Sequence, residues 1–288
     1  MHPAATENGP AFPPMEISSR EKTILDRIVE ARRESVAHRK RVLPEVALKI
    51  AVEKKAPPPL DFPGALSRDG YNIIAELKKA SPSRGVIREE YAPAALAASV
   101  ERAGAAALSV LTEEDFFSGS LTDLKEARKV ARIPILRKDF IIDPWQVWET
   151  RAAGADSFLL IAAVLNDAAQ SELLELGRSL KMEALVEVHS RDELERVVSM
   201  GVRIIGVNNR DLRNFKVSLD TSLALIEAIP DDCIAVSESG LHTHEDLTRL
   251  RHAGFDAFLI GEHLMKGADP AEPLRALLGV SREGPTAT

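Results

Sequence analysis

Eight short aliphatic runs recur along the chain, each separated from the next by a segment with helical periodicity. They are YNIIAELKK, AAALSVLT, IPILRKDF, DSFLLIAA, MEALVEV, VRIIGVNN, DCIAVSES and FDAFLIGE. Continuous apolar runs without polar alternation read as strands buried on both faces, as in parallel sheets covered by crossover helices. Four strands are introduced by a related phrase: Ala103-Gly104-Ala105, Ala153-Gly154-Ala155-Asp156, Met200-Gly201-Val202 and Ala253-Gly254-Phe255-Asp256. In each, Gly supplies the left-handed conformation that ends a helix before a strand. Such units can close as a (β/α)8 barrel or stay open as a doubly wound sheet. No GxGxxG follows the first run, and eight evenly spaced units favour the closed α/β form, a TIM barrel.

Composition sets outer bounds. With 288 residues, 45% of them apolar and 28% charged, the chain can bury a large core as a soluble globular protein. A net charge of −7 argues against a general nucleic-acid binder, so any basic cluster is local. Cys233 is the only cysteine, which excludes an intrachain disulfide and fits a reducing cytoplasm. The opening MHPAATENGPAFPPME lacks the features of a secretory signal, and no apolar run reaches the ~20 residues that span a bilayer. A cytoplasmic protein without membrane or nucleic-acid partners is expected. Residues 1–17 and 279–288 read as disordered tails, and 18–278 as one barrel domain with a helical extension over 18–52. That extension divides into helices from Ser18 to about His38 and from roughly Leu43 to Val52, before the proline-rich linker KKAPPPLDFPG. It could cover the bottom or side of the barrel, or form part of a lid over its mouth.

In such a barrel the functional residues lie at the C-terminal strand ends. The run ILRKDFII turns from apolar to charged at Arg137, Lys138 and Asp139, as a strand ending at a functional rim does. Lys138 is matched by Glu76 and Lys78, by Glu187, by Asn208 and Arg210, and by Glu238 and Ser239 at the ends of four other strands. The two-residue period aligns Ile74, Glu76 and Lys78, Leu136 with Lys138, and Leu185 with Glu187, so each set can point inward together. Two Lys and three Glu at a barrel mouth suit acid–base chemistry, particularly if burial lowers a Lys pKa toward neutrality. The plain alternative is an ion-pair network that neutralises the upper layer.

Anion recognition is suggested by three further features. After strand one, Ser81-Pro82-Ser83-Arg84-Gly85 is a loop rich in hydroxyls and positive charge. Gly240 after strand seven, and Gly261-Glu262 after strand eight, lie where barrels bind phosphate through backbone N–H groups. With Lys78, Lys138 and Arg210 in an acidic protein, they point to a substrate carrying phosphate, with a carboxylate as a second anionic group.

The phrases IIAELKKASPSRG, ILRKDFIIDPWQV, ALVEVHS, IIGVNNRDL, VSESG and FLIGEHLM, in that order and spacing, closely resemble the indole-3-glycerol phosphate synthase family of tryptophan biosynthesis, over about residues 20–278. The resemblance implies conversion of 1-(2-carboxyphenylamino)-1-deoxyribulose 5-phosphate to indole-3-glycerol phosphate, releasing carbon dioxide and water, without metal or organic cofactor. It implies that Lys138 is the general acid and Glu187 its partner in later proton transfers. Lys78, paired with Glu76, would meet the anionic end of the substrate or act as a second acid. Asn208 and Arg210 would orient the anthranilate portion and its carboxylate, Glu238 and Ser239 would lie by the sugar hydroxyls, and Ser81 would also bind substrate. Main-chain N–H groups of Gly240, Gly261 and Glu262 would hold phosphate. His263 stands where the family pattern leads one to expect a small hydroxyl residue, and Asn209 where Ser is also common. The expected assembly is a monomer or weak homo-oligomer.

Two rival readings are a Schiff-base aldolase, which also places Lys inside a barrel, and a catalytically silent partner module. His242 and His244 in LHTHED read as a polar loop and helix start rather than metal ligands, and Trp145 and Trp148 as packing.

Overall fold

The computed structural model describes residues 22–211 and 215–280. Eight parallel strands close on themselves in chain order: β1 Asn72–Leu77, β2 Ala107–Leu111, β3 Ile135–Lys138, β4 Ser157–Ile161, β5 Ala184–Val188, β6 Ile204–Asn208, β7 Ile234–Glu238 and β8 Ala257–Ile260. Strand β1 pairs with β8 on one side and β2 on the other, leaving no edge in the barrel. The predicted two-residue face is the observed one. Ile74, Ala107, Leu136, Leu159, Ile161, Leu185, Ile204, Val236, Ala257 and Leu259 form the interior cluster.

The connecting helices begin on short polar caps, as β-to-α turns favour. Helix α5 (Leu121–Val130) starts from Ser120, α6 (Pro144–Ala153) from Asp143, α7 (Asp167–Ser179) from Asn166, α8 (Arg191–Ser199) from Ser190 and α10 (His244–Ala253) from Thr243, each cap accepting a backbone N–H. The four glycines of the repeated phrase all have positive φ, between 66° and 117°. The other outer helices are α4 (Pro93–Arg102), α9 (Asp220–Leu225), α11 (Glu262–Met265) and α12 (Ala271–Leu277).

The N-terminal extension departs in detail from its expected form. Helix α1 runs Ile24–Val42 from a Thr23/Asp26 capping box, so the expected start at Ser18 lies outside the described residues, as do the expected tail over 1–17 and residues 281–288. Pro44 separates α1 from α2 (Glu45–Lys55). The linker contains a short helix, α3 (Phe62–Leu66), which forms despite four prolines because Pro63 falls in its first turn and Asp61 caps it. Phe62 and Leu66 are fully buried among the inward residues at the foot of the barrel. Helix α2 packs on α6, where Trp145 is buried and donates its Nε1–H to the Leu43 carbonyl at 2.8 Å. The far end of α1 supplies Ile24, Leu25 and Ile28 to the cavity at the mouth. Within the extension α2 therefore covers the side of the barrel and α1 walls its mouth, while α3 of the linker plugs the bottom.

Candidate active site

At the C-terminal face of the barrel a cavity of about 460 Å3 is lined by strand-end residues and the loops above them. This is within the ordinary size for a small-molecule site. All twelve expected site residues, from Glu76, Lys78 and Ser81 through Lys138, Glu187, Asn208 and Arg210 to Glu238, Ser239, Gly240, Gly261 and Glu262, line it.

Lys138 stands at the centre. Its Nζ donates to Glu187 Oε2 at 2.7 Å and to Glu238 Oε2 at 3.1 Å, while Asn208 Nδ2 donates to Glu187 Oε1 at 3.1 Å. Glu187 and Glu238 are 2% and 1% exposed, so their charges are felt with little screening. Burial disfavours the Lys138 ammonium, yet Glu187, Glu238 and Glu76 together outweigh it and hold its pKa above the ordinary lysine value. The sense is opposite to the lowering expected from burial alone, because three carboxylates share the site. Burial likewise works against the Glu187 carboxylate, but Lys138 and His189 bring its pKa down to about 2. For Glu238 burial prevails over Lys138, and Glu187 adds to it, pushing the pKa up to about 7. The group poised near neutrality is thus Glu238, and its Oε1 is buried without a hydrogen-bond partner.

Beside this triad, Lys78 Nζ lies 2.5 Å from Glu76 Oε1. Ser81, in a two-stranded ribbon of Ala80–Ser81 with Gly85–Val86, has a buried and unpartnered Oγ. At the β8 corner, Glu262 gathers Lys266 at 2.8 Å and both Arg84 and Arg210 at 3.4 Å. The Arg210 guanidinium is therefore directed to the β8 corner. Ser239 and Gly240 are consecutive left-handed residues, with φ of 68° and 78°. A Cβ at Gly240 would meet Val217 Cγ1 at 2.5 Å, so the close turn after β7 requires glycine.

Several contributors escape strand-end reading. Gly206, on the inward face between Ile204 and Asn208, leaves the space that Glu238 occupies: a Cβ there would lie 2.1 Å from Glu238 Oε1. Gly261 makes equivalent room for Glu76, at 2.2 Å. The inward two-residue period was the available signal for Gly206. Phe117 and Phe140, ring centroids 6.2 Å apart, join Leu111, Leu159 and Ile161 in an apolar wall above β2 to β4. His242 and His263 also line the cavity, with ring centroids 5.5 Å apart. His244 instead packs against Tyr71 and bonds the Leu277 carbonyl, and no cluster of three metal-ligating side chains occurs among the described residues. Asn209 clasps the ends of β6 and β7, donating to Ser237 Oγ and to the Glu238 and Ser239 carbonyls.

Only the middle residue of the Arg137-Lys138-Asp139 run binds the central carboxylates. Arg137 faces outward and is fully buried against Asp139 and Glu149, both at 2.9 Å. Arg32 of α1 then joins Asp139 at 3.1 Å and Glu113 at 3.2 Å, all three side chains inaccessible. This buried ionic chain fastens the extension to the strand that carries Lys138.

A family model described as indole-3-glycerol phosphate synthase matches residues 25–277. Relatives named indole-3-glycerol phosphate synthase include one from Variovorax paradoxus (strain S110), 45% identical over 262 residues and covering 88% of this chain and 98% of that protein. Another, from Dehalococcoides mccartyi (strain CBDB1), is 46% identical over 258 residues, covering 88% of this chain and 100% of that protein. Among solved structures, 3-hexulose-6-phosphate synthase from Salmonella typhimurium shares the fold with a TM-score of 0.58 at 12% identity, over 72% of this chain and 97% of that one. The chain belongs to the indole-3-glycerol phosphate synthase family, carbon–carbon lyases of tryptophan biosynthesis.

Proposed function

We propose that, in converting 1-(2-carboxyphenylamino)-1-deoxyribulose 5-phosphate to indole-3-glycerol phosphate, Lys138 is the general acid and Glu187 its partner in proton transfer. The observation that carries this is the Lys138 ammonium held between two buried carboxylates in a cavity with two unlike halves. The apolar wall of Phe117, Phe140, Leu111, Leu159 and Ile161 suits the substrate's aromatic ring. On the opposite side, the turns at Gly240 and Gly261-Glu262, with Lys78, Arg84, Arg210 and Lys266 around them, suit the phosphate.

In this reading the ring carbon bearing the carboxylate attacks the ribulose carbonyl carbon. The carbonyl electron pair moves to oxygen, which takes a proton from Lys138 and becomes a hydroxyl. Carbon dioxide leaves, returning its bonding pair to the ring. The hydroxyl then takes a second proton, from Lys78 or from Lys138 recharged by solvent, and departs as water with its bonding pair, while the adjacent carbon gives up a proton to Glu187 and its C–H pair forms the ring double bond. Positioned acid–base groups of this kind typically contribute about 10²–10⁴-fold. Asn208 holds Glu187, Arg210 serves the anionic groups, and Glu238, Ser239 and Ser81 meet the sugar hydroxyls. Lys78, steadied by Glu76, meets an anionic group or acts as a second acid.

We also take residues 18–278 as one domain of a cytoplasmic monomer or weak homo-oligomer. This is supported by the acidic charge and by the lack, among the described residues, of any helix long and apolar enough to cross a membrane. The deciding experiment is incubation of purified protein with the carboxyphenylamino-deoxyribulose phosphate, following indole fluorescence. Appearance of indole-3-glycerol phosphate with release of carbon dioxide is expected. Trapping of a substrate adduct by borohydride without that product would support the aldolase reading instead.

A further inference from the structure

Beyond the groups assigned above, a half-buried titratable side chain packs behind the site without lining its cavity. His189 directly follows β5, and its ring lies between two carboxylates. Nε2 is 3.4 Å from Glu187 Oε1, and Nδ1 is 3.6 Å from Glu193 Oε2. Neither nitrogen makes a hydrogen bond, and the two contacts become ion pairs when the imidazole is protonated. Glu193 is itself fixed. It is the third residue of α8, its backbone N–H bonded to the Ser190 cap, and its Oε2 accepts the backbone N–H of His189 at 2.7 Å. The strand end, the cap and the first helical turn thus orient the imidazole as a unit.

We propose that His189 is a positioning residue for the reaction: its imidazolium, oriented by Glu193, braces the Glu187 carboxylate from behind and keeps it aimed at Lys138. Glu187 Oε2 is occupied by Lys138, and Oε1 is left to Asn208 and His189. Without the imidazolium, Oε1 keeps only a neutral amide partner, and the carboxylate is freer to turn or to take up a proton. The other charged groups bearing on the pair are Glu238, which also favours the imidazolium, and Arg196, which faces Glu193. Burial opposes the charge on His189, but Glu193, Glu187 and Glu238 outweigh it and raise its pKa above the ordinary histidine value. The brace is therefore present below that raised pKa and released as pH rises through it. The inference rests on the reading of Glu187 as the proton-transfer partner.

The test combines histidine NMR titration of the intact protein with steady-state kinetics of His189→Asn, Glu193→Gln and Glu187→Gln. His189, identified by the resonance missing from His189→Asn, should titrate above about 6.5, and lower in Glu193→Gln than in the parent. His189→Asn should lose about tenfold in kcat with KM within about twofold, since the lost contact is not to substrate. It should also lose the step in kcat that the parent shows over the imidazole titration, and Glu193→Gln should move that step to lower pH. The proposal is overturned if His189 titrates at or below the ordinary value, or if the kcat–pH profile of folded His189→Asn superimposes on the parent's. An inactive Glu187→Gln alongside an unchanged His189→Asn removes the brace alone. A fully active Glu187→Gln removes the reading of Glu187, and the brace with it.

Discussion

Replacing Lys138 with arginine separates charge from proton transfer. In the structure the ammonium lies 2.7 Å from Glu187 and 3.1 Å from Glu238, both carboxylates buried. Deleting the cation, as in Lys138→Ala, leaves two carboxylates facing each other. Removing one partner of a buried pair costs about 3–5 kcal/mol. Lys138→Arg retains the charge and can bond both partners, so its thermal midpoint should stay closer to the parent's than that of Lys138→Ala. Arg keeps its proton, with a pKa above about 12, and cannot donate and recover one during turnover. Loss of a general acid then costs about 10²–10⁴ in rate, or roughly 2.7–5.4 kcal/mol. Indole fluorescence under saturating substrate should show kcat reduced on the order of 10²-fold or more, while KM changes little because the turns proposed to hold phosphate lie on other strands. A folded Lys138→Arg protein working within about tenfold of the parent refutes the proton-donor role and leaves Lys138 as a charge any cation could supply.

Four other outcomes follow from the same geometry. Gly206→Ala and Gly261→Ala should each drive a carboxylate, Glu238 and Glu76 respectively, from its place by intruding at 2.1 and 2.2 Å, and lower kcat at least tenfold; parental turnover in both would show that those carboxylates need not stay where they are. Glu238, raised from 4.5 to about 7, binds its proton more tightly folded than unfolded, so its contribution is complete below about pH 4.5 and lost as pH rises through 7. Glu238→Gln should flatten the fall in thermal midpoint between pH 5 and 8 that thermal unfolding reads. Arg32→Met should leave Glu113 without its cation and Asp139 with Arg137 alone, and destabilise by about 3–5 kcal/mol in urea unfolding, and a loss under 1 kcal/mol would show the Arg32 link of the buried ionic chain to be dispensable. Phe62→Ala should cost about 3–5 kcal/mol by opening a cavity under the barrel while leaving KM unchanged, a result checked by paired unfolding and kinetic measurements.

Periodicity gave the eight strand–helix units, and their number and even spacing, with no GxGxxG after the first, favoured the closed barrel. Eight apolar runs alternating with helical segments must bury both faces of each strand, and the two-residue period already placed Glu76, Lys78, Lys138 and Glu187 on the inward face with Ile74, Leu136 and Leu185. The sequence also marked the helix ends, because a left-handed glycine is a local backbone demand. What it could not contain was the balance among charges contributed by strands far apart in the chain. Burial by itself lowers a lysine pKa; only closure of the barrel sets Glu187, Glu238 and Glu76 around Lys138 and reverses the sign, leaving Glu238 as the group near neutrality. The division of Arg137-Lys138-Asp139 into one cavity-centred cation and two members of a buried ionic chain likewise required Arg32, more than a hundred residues earlier, to be brought against β3. Local conformation follows from neighbours in sequence. Electrostatics follows from neighbours in space, and for this site tertiary closure selects them.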